Sequence, residues 1–162
     1  MHNILIIVAG QLGSRHLQGA VQSKLPLHIY VVNPSIASLE VAELRANQIT
    51  FGYNKTCIQF NQGIEESIVI EICNIANTAN VRFQVFLELI GKCTVKNINF
   101  EKILFQKEAE YMSVQSLLSS NKIKAWINCP RRLNPIYQKI RDLLAIEKKF
   151  YGSNRHWLGL SW

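Results

Sequence analysis

Acidic side chains are scarce in this chain, and Asp142 is its only aspartate. Against 11 acidic groups stand 18 lysines and arginines, giving a net charge of +7 over 162 residues. Such an excess raises the local concentration of anionic partners, whether nucleotides or sugar phosphates, and otherwise forms a solvated basic surface. Nucleic acid fits less well. Aromatic and basic residues do not alternate as in single-strand binders, and no zinc finger or RNP-like segment occurs. The four cysteines, at 57, 73, 93 and 129, include no C-x-x-C pair. They read as reduced, mostly buried thiols without a metal site. No apolar run approaches the roughly 20 residues that cross a bilayer. The N-terminal ILIIVAG is short and has no basic lead-in, so its glycine reads as a turn rather than a cleavage signal. A soluble cytoplasmic domain with no membrane partner is expected. Internal repeats and low-complexity linkers are missing too.

What remains is a chain that is 48% hydrophobic and 18% charged, long enough for one domain with a good apolar core. Strand and helix patterns alternate along it. Strands are expected at Ile4–Val8, His28–Val32, Cys57–Phe60, Ser67–Cys73, Val95–Phe100 and Ile123–Ile127. Helices are expected at Ser14–Lys24, Ile36 to about Asn47, Ala79–Ile90, Ala109–Ser119 and Pro135 to about Lys149. The last would be amphipathic, with Ile136, Ile140, Leu143 and Leu144 on one face. Nearly continuous apolar strands alternating with helices imply a parallel sheet covered on both sides. Right-handed crossovers then favour an α/β, doubly wound, mostly parallel six-stranded sheet of Rossmann type.

The stretch Ile4 to Leu17, ILIIVAGQLGSRHL, carries the most chemistry. An apolar strand runs into glycines at 10 and 13 and then into a helical pattern. Such a turn aims a helix N-terminus, with its unpaired N–H groups and dipole, at an anion. Gly10, Gln11, Leu12 and Gly13 are therefore candidate contacts to a pyrophosphate, although Val8 occupies the first glycine position of G-x-G-x-x-G. Gly10, Asn33, Asn74 and Lys102 all fall at or just past expected strand ends, where such sheets bind ligands. Asn33, Pro34 and Ser35 read as a turn and helix entry. Arg15 and His16 can meet a phosphate or substrate or simply cover the helix surface. Arg131 and Arg132 can clamp an anion or remain solvated, and Cys129 beside them reads as a structural thiol more readily than a reactive one.

In order and spacing the chain resembles the nucleotide-binding domain of the Gfo/Idh/MocA oxidoreductases. The matching pieces are VAGQLGSRH after the first strand, VVNPS after the second and ICNIANTANVR after the fourth. Glu101-Lys102 follows the fifth strand, and INCPRR at 127–132 with Tyr137 resembles a sugar-linked subset. The resemblance implies a domain binding NAD or NADP in an enzyme that moves hydride to or from a sugar or polyol. It implies that Lys102 lies near the nicotinamide and the reacting hydroxyl, where an ammonium can orient the oxygen and help move its proton. Glu101 would hold the turn or orient Lys102. Asn74, Asn77 and Thr78 would face the cofactor, and Asn128 after the sixth strand would do the same.

Four departures bear on that expectation. Val8 replaces a glycine, and Ile103 replaces the proline after the lysine. Asn33 stands where an acidic residue favours NAD, so NADP is not disfavoured. The family also carries a second, substrate-binding domain. Residues 1–150 read as the Rossmann-type domain. Residues 151–162, with their apolar NRHWLGLSW, read as a segment leading toward an absent second domain. Two alternatives stay open: a catalytically decayed, stand-alone module binding a nucleotide or nucleotide-sugar, and another α/β enzyme such as a methyltransferase. An apolar tail and an unpaired sheet edge both invite self-association.

Overall fold

The computed structural model describes residues 1–7, 10–53 and 55–146, except the side chains of residues 131, 132 and 144–146. Two compact units divide the chain, Met1–Asn128 and Cys129–Trp162. The first holds the sheet. Its elements run β1 (His2–Ile7), α1 (Gln11–Val21), β2 (Leu27–Val32), α2 (Ile36–Ala46), β3 (Cys57–Asn61), β4 (Val69–Ile75), α3 (Ala79–Lys92), β5 (Thr94–Glu101), α4 (Glu108–Ser120) and β6 (Lys124–Asn128). The strands lie in the order β3-β2-β1-β4-β5-β6, and every pairing is parallel. This is a doubly wound Rossmann-type sheet. In it the chain works outward from β1 to β3, then returns to lay β4 on the other side of β1.

Burial on both faces explains the continuous apolar strands. Leu5, Ile7, Cys73, Ile75, Ile98 and Phe100 join Phe86 and Leu89 of α3 and Val114 of α4 in one core. Ile4, Ile6, Ile29 and Val31 face the other way, against Leu17 and Val21 of α1 and Leu39, Ala42 and Ala46 of α2. A residue-by-residue alternation of that kind needs apolar side chains at successive positions, as a buried parallel strand requires. Of the four free thiols, Cys73 and Cys93 are buried and Cys57 and Cys129 exposed, so half of them, not most, are core residues.

Some boundaries differ from the expectation for local reasons. Helix α1 starts at Gln11, three residues before Ser14, because Gly10 already turns the chain and Gly13 fits inside the first turn as a buried residue. Strand β4 starts at Val69, since Ser67 adopts φ 64° and cannot extend the ladder. It continues through Asn74, which the expectation had set past the strand end. Asn74 pairs with Asn99 of β5 in the ladder, and their side chains meet at 2.9 Å. A polar residue is satisfied there inside the sheet, so the strand has no reason to stop before it.

In the second unit a 3-10 turn at Pro130–Leu133 leads into α5 (Pro135–Ile146). Of the expected apolar stripe, Ile136, Ile140 and Leu143 are exposed, and the side chain of Leu144 lies outside what the structure describes. The proposed segment 151–162, Val8 and the end of the last expected helix lie outside the described residues. No helix among the described residues is long and apolar enough to cross a membrane.

Gly52 closes the loop after α2 against the end of α1. Its N–H donates to Val21 O at 2.8 Å, and a Cβ there would stand 2.1 Å from Gln22 O. Gly52→Ala is expected to destabilise the fold by about 2 kcal/mol or more, because backbone atoms would have to move. At exposed Gly19, inside α1, a Cβ would meet nothing within 4 Å. Gly19→Ala should therefore stabilise by about 0.5–1 kcal/mol. Urea unfolding of both variants checks the pair, and similar midpoints would contradict the close approach at Gly52.

Candidate functional site

The carboxyl ends of β1 and β4 flank the point where strand order reverses, and the crevice outside it is where sheets of this topology take ligands. The N-terminus of α1 opens there. Its N-cap is Gly10, at φ 81° and ψ −146°, a conformation that L side chains rarely adopt. A Cβ on Gly10 would meet nothing within 4 Å, so the outer side of the turn is open. Among the described residues no side chain caps the helix, and its first turn contains no acidic residue. The first N–H groups of α1 are thus left for an anion, with the dipole behind them. Gln11 and Leu12 are exposed on this turn, and Gly13 is buried beneath it.

Arg15 and Ser14 face other tasks. Arg15 Nη1 donates to Gln18 Oε1 at 3.0 Å. Gln18 Nε2 in turn donates to Arg45 O at 3.0 Å. Buried Ser14 accepts from Arg45 Nη1 at 3.1 Å. Ser14 Oγ also donates to Gly10 O at 3.3 Å, so this network ties α1 both to the end of α2 and back to the turn.

At the end of β2, Asn33 is buried and its Oδ1 accepts the Ser35 N–H at 2.9 Å. Ser35 Oγ then accepts the Ser38 N–H at 3.3 Å as N-cap of α2. Asn33 therefore builds the turn from within, and Pro34 and Ser35 are its exposed rim. No carboxylate belongs to this turn.

The ends of β4 and β5 are organised by a residue the sequence reading did not single out. Arg82 of α3 is 2% exposed. Its Nη1 donates to Glu101 O at 2.7 Å and Leu104 O at 3.0 Å, and also to Ile103 O. Its Nε donates to Asn77 Oδ1 at 3.3 Å, and Nη2 to Asn77 O. One guanidinium thus clasps the loops after β4 and β5. Burial lowers its pKa, and the Glu101 and Tyr111 charges partly offset the shift. A sequence signal existed: Arg82, Phe86 and Leu89 share one helical face, so a charge stands in an apolar stripe.

Glu101 ends β5 and is 4% exposed. Its Oε1 meets His16 Nε2 of α1 at 2.9 Å and accepts from Asn128 Nδ2 of β6. His16, left open between phosphate, substrate and surface roles, is therefore a partner of the strand-five carboxylate. Lys102 follows on the exposed side, joined to the 74% exposed Ile103 by a cis peptide bond. Asn77 is buried with its Nδ2 lacking any hydrogen-bond partner among the described residues, and Thr78 beside it is exposed. Of the expected residues, Glu101, Asn77 and Asn128 are drawn into this one network. Asn74 is committed inside the sheet. Cys129 is exposed, and Arg131 lies with Arg132 in the 3-10 turn of the second unit.

Among solved structures, scyllo-inositol dehydrogenase from Lactobacillus casei with bound NAD(H) and scyllo-inositol matches with a TM-score of 0.62 at 16% identity, over 91% of this chain and 42% of that one. An NAD-binding oxidoreductase from Klebsiella pneumoniae matches with a TM-score of 0.63 at 13% identity, over 90% of this chain and 39% of that one. The fold is shared with NAD-binding oxidoreductases. The chain spans about two fifths of the length of these proteins. No protein-family model and no curated protein matches it.

Removing the Arg82 guanidinium would leave Asn77 Oδ1 and four buried or half-buried carbonyls without their donor. Arg82→Met is expected to cost about 3–5 kcal/mol in urea unfolding. Arg82→Lys keeps the charge but not the fork, so it should recover only part of that loss. A methionine variant within about 1 kcal/mol of the parent would show that the clasp is dispensable.

Proposed function

We propose that this chain is the nucleotide-binding domain of an NAD- or NADP-dependent oxidoreductase of the Gfo/Idh/MocA kind, acting on a sugar or polyol. The observation that carries the reading is the turn at Gly10. A positive-φ glycine opens an uncapped helix N-terminus at the switch point of a parallel sheet, an arrangement suited to a pyrophosphate. The residues fit a dinucleotide in two further ways. The outer side of Gly10 has room for close approach, and Asn77 holds a buried donor with no protein partner among the described residues. Solved structures of the same fold include one with bound NAD(H) and scyllo-inositol.

A bound nicotinamide would supply the hydride acceptor or donor. The chain would supply binding and orientation. Gly10, Gln11, Leu12 and Gly13 would seat the pyrophosphate, and Asn33, Pro34 and Ser35 would border the adenosine ribose. Because the Asn33 turn contributes hydrogen bonds and no negative charge, it does not repel a 2′-phosphate, and both NAD and NADP are accepted on this reading. Asn77 and Asn74 belong to the opposite half, Asn74 by supporting the sheet under it. Lys102, exposed at the end of β5, would orient a substrate oxygen and handle its proton, with Glu101 holding the turn from which it projects.

Calorimetric titration with NAD(H) and NADP(H) tests the reading. Gly10→Val should weaken binding at least about tenfold, since valine resists the positive φ and crowds the phosphate. Lys102→Ala should leave dinucleotide affinity within about twofold, its work being at the reacting carbon. A folded chain that binds neither dinucleotide would overturn the proposal.

A further inference from the structure

The Glu101 carboxylate is sheltered from water, and its hydrogen bonds are unevenly shared. Oε1 accepts from both His16 and Asn128, whereas Oε2 makes no hydrogen bond among the described residues. The charged groups around it are few. From α1 come His16 and the exposed Arg15, which is engaged by Gln18. From α3 comes Arg82, which donates to the Glu101 backbone carbonyl and whose charge also interacts with the carboxylate. Lys102 adjoins it but is exposed, and β6 contributes the neutral Asn128.

Glu101 also lies in a particular half of the sheet. The phosphate turn and the Asn33 turn belong to the half built on β1, β2 and β3, which takes the adenosine side of a dinucleotide. The redox ring then falls to the half that contains the end of β5. Oxidised and reduced dinucleotides differ there by one positive charge, carried by the oxidised ring. A carboxylate shielded from solvent interacts with that charge with little screening, whereas an exposed lysine is screened.

We propose that Glu101 and His16 together set the selectivity of this crevice between oxidised and reduced dinucleotide. The inference rests on the dinucleotide reading above. A neutral His16 donates its Nε2 hydrogen to Oε1 and leaves the carboxylate charge in force, favouring the oxidised ring. A protonated His16 at 2.9 Å cancels that charge and removes the bias. Selectivity for the oxidised form is therefore greatest when the imidazole is neutral and falls as it takes up a proton. His16 and Glu101 act as specificity-determining residues, apart from any proton transfer at Lys102.

The test is the ratio of Kd values for NADH and oxidised NAD, measured by calorimetry on the full chain at about pH 8 and about pH 6. Glu101→Gln should lower that ratio roughly tenfold at the higher pH, the size expected of a partly screened charge pair. In the parent the ratio should fall several-fold on acidification. His16→Gln keeps a donor for Oε1 but cannot titrate, so it should hold the high-pH ratio at both pH values. The His16→Gln arm remains decisive even where Glu101→Gln fails to fold. Both dinucleotides binding with a ratio unmoved by Glu101→Gln, or a pH dependence that survives His16→Gln, would overturn the proposal and leave the dinucleotide reading standing. A folded parent that binds neither form would overturn both.

Discussion

The guanidinium of Arg82 is the point on which the carboxyl end of the sheet depends. Taking a full positive charge out of water costs several kcal/mol, and only a complete set of acceptors offsets it. Arg82 has that set because the loops after β4 and β5 both turn their carbonyls toward it. The dependence is mutual. Those carbonyls point inward, away from water, and would be unsatisfied without a planar donor fork between them. A lysine offers a point charge and an apolar residue offers nothing, so the conformation of both loops is tied to this side chain.

From that clasp the geometry propagates to the crevice. With Glu101 O fixed by Arg82, the Glu101 carboxylate lies on the opposite side of the strand end, within reach of His16 on α1 and Asn128 on β6. Helix α1 is therefore anchored at two levels. Its apolar face packs on β1 and β2 through Leu17 and Val21, and its polar side is pinned across the switch point to β5. Gly10 needs this support, because an uncapped helix start in an open turn has few contacts of its own. The open start of α1 and the end of β5 are thus parts of one connected arrangement, not neighbours by accident of topology.

The fold was legible in the sequence because its signals are local. ILII, HIYVV and the later runs are apolar at successive positions, which only a strand buried on both faces requires, and the helices between them carry the usual period. The Gly10 turn was legible for the same reason, since its backbone conformation demands that residue. Element limits and side-chain commitments were less so, because they depend on partners distant in sequence. Asn74 looked like a loop residue until Asn99, 25 positions away, is seen to satisfy it inside the sheet. Arg82 stood out only as a charge in an apolar stripe, and its task appears once Asn77, Glu101 and Leu104 are brought around it.

The two halves of the crevice differ in electrical character, and this follows from where those partners fall. Around β2 the turn is built by neutral hydrogen bonds among Asn33, Ser35 and Ser38. Around β5 the ionisable groups gather: Arg82 buried, Glu101 buried, His16 half-buried and Lys102 exposed. A net charge of +7 spread over the surface is screened by salt within about 10 Å and discriminates little between similar ligands. The charges of Arg82 and Glu101 lie beneath the surface, where screening is weak. The buried and half-buried ionisable groups thus concentrate at the β5 half, while the turn at the end of β2 holds none.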